Sequence, residues 1–173
     1  LKEKAFSFSG DDFTIRTANG VDICRCKGTF LSISDRKTFT DMKGREHFTL
    51  KNKLLSFHKS FKGIGPDGFE LFEVKGHFAF LSHKSSVHFT NAADGREIEL
   101  EVRGDWLDRS ATITCGGQPI ASIARSFFTV REIFAGKQTY FVQVAPGVDL
   151  ALVAAICVCL DESENEKKSG ILF

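Results

Sequence analysis

Proline is scarce in this chain of 173 residues, with 3 in all, and tryptophan, tyrosine and methionine occur once each. So few prolines leave no Pro-rich tract and little that reads as linker. Charge of one sign is also lacking. The formal net charge is +1, so no strong overall field draws the chain to nucleic acid, although a local patch can sit inside a balanced total. No apolar run approaches the roughly 20 residues needed to cross a bilayer as a helix. The five cysteines (Cys24, Cys26, Cys115, Cys157, Cys159) include no C-x-x-C spacing, so a zinc knuckle or thioredoxin-like motif lacks support. There is no H-E-x-x-H, no G-x-S-x-G and no N-x-Ser/Thr. These absences point to free thiols in a reducing compartment and leave no catalytic residue to nominate. No N-terminal signal is visible in Leu1-Lys2-Glu3-Lys4. Leu1 rather than Met opens the chain, so the natural start is expected upstream and a targeting segment there stays open.

Phenylalanine is abundant, at 18 residues. Each ring offers large apolar area with no polar tip to satisfy, and rings spread over many short segments suggest a thick interior lined from all sides. Those segments alternate. Phe13 to Thr17 and Val21 to Cys26 flank Asn19-Gly20, a strong hairpin signal because both turn positions favour φ above zero. Ala93-Asp94-Gly95 precedes Glu97 to Arg103, where Ile98, Leu100 and Val102 share one face and the charged residues the other. Gly116-Gly117 separates Ala111–Cys115 from Pro119–Arg125, and Lys43-Gly44 separates Thr38–Met42 from His47–Leu50. Further strands are expected at Phe6–Ser9, Thr29–Ser34, Leu54–Lys59, Phe69–Lys75, Phe78–Ser82, Val87–Asn91, Phe127–Phe134 and Thr139–Val144. The pattern is about twelve short strands in a sandwich or barrel. Asp41 to Phe57 and Cys115 to Phe128 echo each other (Gly turn, apolar strand ending in a basic residue, second apolar strand). That is a weak duplication, or simply two similar hairpins.

Val148 to Leu160 breaks this rhythm. It follows the turn Pro146-Gly147 and holds one polar side chain, Asp149. Its alanines and leucines favour helix, and its length matches a buried helix better than a span. A helix apolar on every face must be enclosed on every face, and a ring of strands would do so. Val148, Asp149, Leu152, Val153, Ile156 and Leu160 are the expected buried-helix residues, with Asp149 suited to the positive helix end. The acidic Asp161 to Glu164 is expected to leave into water. Residues 1–162 then form one domain and 163–173 a charged, frayed tail.

The run Tyr140 to Leu152, continuing to Cys159-Leu160-Asp161-Glu162, resembles the C-terminal signature of the LURP-one-related family. Arg103-Gly104-Asp105-Trp106 with Arg109-Ser110, and Leu50-Lys51-Asn52-Lys53-Leu54-Leu55-Ser56-Phe57-His58, resemble two further stretches of it. The order and spacing of the three carry the likeness, which covers roughly Gly20 to Glu162. The resemblance implies a mainly β fold: a closed, twelve-stranded antiparallel barrel around a hydrophobic C-terminal helix. That architecture is shared with tubby C-terminal domains and, by similarity, phospholipid scramblases. It also implies no agreed biochemical activity, with plant members linked to defence, and in tubby domains a basic surface that binds a phosphoinositide head group.

Candidate sites are few. Gly63-Ile64-Gly65-Pro66-Asp67-Gly68 fits G-x-G-x-x-G, but a dinucleotide site needs a helix next, and Phe69 to Val74 reads as strand. His47, His58, His77, His83 and His88 show no ligand spacing. Cys115 beside two glycines reads as a strand-end thiol before a nucleophile. The basic set Lys51, Lys53, His58, Lys59 and Lys62 is the most informative. Its four lysines could hold an anionic head group, or form a solvated edge that resists aggregation. The expectation is a non-enzymatic, intracellular binding or scaffold protein, cytoplasmic and monomeric. It would use no cofactor or metal and take an unknown protein or an anionic phospholipid as partner. A peripheral phosphoinositide adaptor is the first alternative and a scramblase-like membrane protein the second.

Overall fold

In the computed structural model, residues 2–9, 12–17, 21–28, 36–52, 60–79, 82–105, 110–125 and 138–168 are described. They form twelve strands and one helix: β1 (Lys2–Ser9), β2 (Asp12–Thr17), β3 (Asp22–Gly28), β4 (Arg36–Asp41), β5 (Glu46–Asn52), β6 (Ser60–Ile64), β7 (Glu70–Ala79), β8 (Ser82–Thr90), β9 (Glu97–Asp105), β10 (Ser110–Cys115), β11 (Gln118–Arg125), β12 (Gln138–Val144) and α1 (Leu150–Lys168). Every pairing is antiparallel between sequence neighbours, except that β1 pairs with β12 as well as with β2. The strand order runs β1-β12-β11-β10-β9-β8-β7-β6-β5-β4-β3-β2, each strand hydrogen-bonded to its neighbours in that order.

The alternation read from the sequence sets the two faces. In β3, Cys24 and Cys26 are buried while Arg25 and Lys27 are exposed; in β9, Leu100 and Val102 are buried while Glu99 and Arg103 are exposed. The inward set joins one apolar cluster with the helix residues Leu152 to Cys159, all eight of them buried. More than two helical turns without an exposed face require surroundings on all sides. Phe39 stacks on Phe48 (ring centroids 4.5 Å apart), and Phe48 meets Phe72 edge-on at 5.1 Å.

Several expectations need correction. The helix begins at Leu150, because Asp149 is its cap and not its first turn: Asp149 Oδ1 accepts from the amides of Ala151 (2.7 Å) and Leu152 (3.4 Å). Asp149 is exposed, and Val148 and Leu160 are half-buried, so Leu152, Val153 and Ile156 are the truly buried members of the expected set. The helix runs on through the acidic stretch to Lys168. Glu162 ends 2.5 Å from Lys37 Nζ, so a strand cation neutralises one carboxylate near the point where the helix turns polar. Residues 163–168 are thus helix, and 169–173 lie outside the described residues. Strand β6 went unread because Gly63 and Gly65 suggested a loop. Phe69–Lys75 and Phe78–Ser82 are not two strands broken at Gly76, since β7 continues through it opposite Ser85. The expected strands at 29–34, 54–59 and 127–134 lie outside the described residues.

Candidate functional site

The interior offers little chemistry. The buried polar residues described, Ser60 and Ser86, neighbour the inward Phe61 and Val87 and so turn to the outer face, and among the described residues no buried side-chain nitrogen or oxygen lacks a hydrogen-bond partner. No cysteine is in a disulfide, and Cys24, Cys26, Cys157 and Cys159 are buried. Burial, reinforced by the charge of Asp149, pushes Cys24 up from 9.0 to about 12, and burial likewise raises Cys159. Cys24 and Cys159 therefore hold their protons at neutral pH. Cys115 is half-buried at the end of β10. The glycine motif holds no phosphate cradle. Gly63 sits inside β6 under the Phe72 ring, and Gly68 takes φ +86° in a hairpin that leads into β7.

One constellation looks catalytic by composition. Ser86 Oγ lies 2.9 Å from His88 Nε2, and Glu99 Oε1 lies 3.9 Å from the same nitrogen. A relay needs the acid on the other ring nitrogen, so this geometry serves as an ordinary polar contact. The open cleft of about 700 Å³ beside it is lined by Lys84, Ser85, Ser86, Glu99, Glu101, Thr114, Gly116 and Gly117. Two of its charges are matched to cations: Glu101 takes Arg103 at 2.7 Å and Lys84 at 3.6 Å. No group of three His, Cys, Asp or Glu is placed for a metal ion among the described residues.

The outer face of β3 to β6 differs. Phe39, Phe48, Leu50, Phe61 and Gly63 point inward, so Arg36, Lys51 and Lys62 point out. Arg36 stands directly opposite Lys51, and Lys51 opposite Lys62. One row therefore carries three cations on three adjacent strands, where like charges face to face are unfavourable. In the next row Lys27 is opposite Thr38, whose hydroxyl lies 3.2 Å from that of Thr49. Beyond it Arg25 is opposite Thr40. The row's far end is relieved: Lys62 bonds Glu70 at 2.6 Å, and that contact raises its pKa. Glu73, opposite Lys62, is pushed up by burial but held below its ordinary value overall by Lys75, Lys62 and Ser60. Arg25, Lys27, Arg36 and Lys51 thus share one outer face of β3, β4 and β5, with Glu46 held beside them by the Thr49 hydroxyl at 2.8 Å.

Of the four lysines expected in the site, Lys51 and Lys62 are brought together, with Lys62 tied to Glu70. Lys53 and Lys59, like His58, lie outside the described residues. Arg25, Lys27 and Arg36 were missed. The alternation Cys24-Arg25-Cys26-Lys27 already showed that two of them faced out, but only the registers of β3, β4 and β5 set them beside Lys51.

The family model for LURP-one-related proteins matches residues 1–161. The chain belongs to the LURP-one-related family. Family members among its relatives include protein LURP-one-related 15 of Arabidopsis thaliana, 27% identical, with the match covering 98% of this chain and 81% of that protein. Protein LURP1 of the same plant is also 27% identical, over 95% of this chain and 83% of its own. The uncharacterized protein YxjI of Bacillus subtilis (strain 168) is 24% identical over 93% and 90%. An Arabidopsis thaliana protein solved by X-ray crystallography superposes with a TM-score of 0.66 at 23% identity, covering 94% of this chain and 91% of that one. That likeness establishes the fold: mainly β, antiparallel, with one helix.

Proposed function

We propose that this LURP-one-related chain is a non-enzymatic, intracellular binding or scaffold domain. It works as a closed barrel in solution and docks on anionic phospholipid head groups through the outer face of β3, β4 and β5. The observation that carries the reading is the row Arg36–Lys51–Lys62. Facing cations weaken a sheet, and a bound phosphate beside Lys51, the middle of the row, would offset the repulsion. The double pairing of β1 supports closure, and the sealed interior leaves the outer strands as the place for recognition.

No helix among the described residues is long and apolar enough to cross a membrane, so contact is read as peripheral. Each basic residue near an anionic surface contributes about 1 kcal/mol. Reversing Arg36 and Lys51 to glutamate should therefore weaken vesicle binding by about 30-fold or more. Flotation with vesicles of phosphatidylcholine alone, with phosphatidylserine, or with a phosphatidylinositol bisphosphate tests this. The wild type should float with charged vesicles and Arg36→Glu/Lys51→Glu should not. Equal flotation of both proteins refutes the proposal.

A further inference from the structure

Lys37 is a cation on the inner face of its strand. In β4 it follows the exposed Arg36 and lies two residues before the fully buried Phe39, so it shares the inner face with Phe39 and stands opposite the buried Leu50 of β5. Its side chain is 12% exposed. A charge so placed needs a counter-charge, because leaving it alone in apolar surroundings is costly. The helix α1 supplies one: Glu162 Oε1 lies 2.5 Å from Lys37 Nζ, with its own side chain 22% exposed.

This contact marks where the helix leaves the core. Leu152 to Cys159 are buried, Leu160 and Glu162 are half-buried, and α1 continues to Lys168. Cys159, three residues before Glu162, is close enough for the charges of both Glu162 and Lys37 to act on it. The helix therefore emerges at the start of β4 and the end of β5, which is where the basic row stands. Arg36 is the chain neighbour of Lys37, and Lys51 is opposite Arg36. Their Cα atoms fall within about 4–7 Å of that of Lys37. Glu162 is one lysine side chain away, on the order of the 8–10 Å over which salt screens charge. In sequence, Asp161, Glu164 and Glu166 accompany Glu162.

We propose that the acidic exit of α1 is an autoinhibitory strap. Glu162 holds Lys37 and weakens the positive field at the Arg36–Lys51 corner; an anionic head group binds by taking over from Glu162 as counter-charge, which frees the end of the helix to move. The inference rests on the head-group reading above and adds its regulation. Two anions compete for one set of cations, so the closed strap lowers the apparent affinity in proportion to the fraction of molecules it holds shut. The strap does not require the row to be bare beforehand, because the ligand exchanges with an acid of the same chain.

The test titrates soluble inositol trisphosphate into the wild type and into Glu162→Gln, and follows hydrogen exchange of the α1 amides in the wild type with and without that ligand. Glu162→Gln should bind about fivefold tighter. Ligand should speed exchange at residues 161–168 of the wild type and leave 152–159 protected. Lys37→Gln/Glu162→Gln, which removes the strap together with the cation it holds, should return to near the wild-type affinity. Binding by Glu162→Gln with none by the wild type supports the strap as well. Equal or weaker binding by Glu162→Gln, with exchange at 161–168 unmoved by ligand, overturns the strap and leaves the head-group reading standing. No binding by any of the three proteins overturns the head-group reading and the strap with it. Should Glu162→Gln fail to fold, exchange in the wild type decides: faster exchange at 161–168 on binding supports the strap, and unchanged exchange overturns it.

Discussion

Replacing Gly63 by alanine should destabilise the protein, although the same change in an open strand would stabilise it. Gly63 lies in β6 directly opposite Phe72 of β7. A Cβ built on Gly63 would fall 2.7 Å from Phe72 Cδ1 and nearer still to Cε1 and Cζ. Carbon atoms rest about 3.5–4.0 Å apart, so the ring would have to move by roughly 1 Å. It has little room, being 5% exposed and set edge-on against Phe48, which in turn stacks on Phe39. Overpacking of this kind costs about 1–3 kcal/mol, while removing a strand glycine returns about 0.5–1 kcal/mol. The net expectation is a loss of about 1–2 kcal/mol, or roughly 3–6 °C in Tm for a chain of this size. Urea and thermal unfolding followed by circular dichroism read it directly. Phe72→Leu should cost stability alone yet reduce the penalty of Gly63→Ala in the double variant, since the two sites share one contact. A Gly63→Ala protein as stable as the wild type, or additivity in the double variant, refutes the packing argument.

Further outcomes follow from the same geometry. Gly104→Ala should destabilise as well, because its Cβ would lie 2.7 Å from Ala111 Cβ and closer to the Ser110 carbonyl; chemical denaturation checks it. Ile156→Ala should cost about 2–5 kcal/mol, as a fully buried helix residue leaves a cavity, and Asp149→Ala about 1 kcal/mol through the lost cap. Cys24 binds its proton more tightly folded than unfolded, so its contribution to stability is intact below pH 9 and declines as pH rises toward about 12. Denaturant midpoints measured across that range should fall, and Cys24→Ala should flatten the decline. In the native protein at neutral pH, Cys115 should be alkylated before the four buried thiols, as mass spectrometry after timed iodoacetamide would show.

Much of the fold could be read from the chain. The alternation in Glu97 to Arg103 assigned both faces of β9, and all-round apolarity marked Leu152 to Cys159 as enclosed. Three features escaped for physical reasons. Strand β6 is short and carries Gly63, whose missing side chain is filled by a ring from the opposite strand, a relation between strands that local propensity does not encode. The helix runs past Leu160 into the acidic stretch, where Glu162 meets Lys37 of β4, and a partner more than a hundred residues away cannot be seen in a local charge run. The basic face was half read: Lys51 and Lys62 lie near each other in sequence, whereas Arg25, Lys27 and Arg36 join them only through register. The central apolar run is buried as its composition suggested, which leaves the outer strands open for the recognition proposed above.

The most direct test of that placement is an NMR titration of the isotope-labelled chain with soluble inositol trisphosphate. The account predicts that amide shifts concentrate on Arg25, Lys27, Arg36, Thr38, Thr49 and Lys51 while those of β9 to β11 stay unmoved. Shifts confined to the cleft at Lys84, Glu99 and Thr114, or none at saturating ligand, would contradict it.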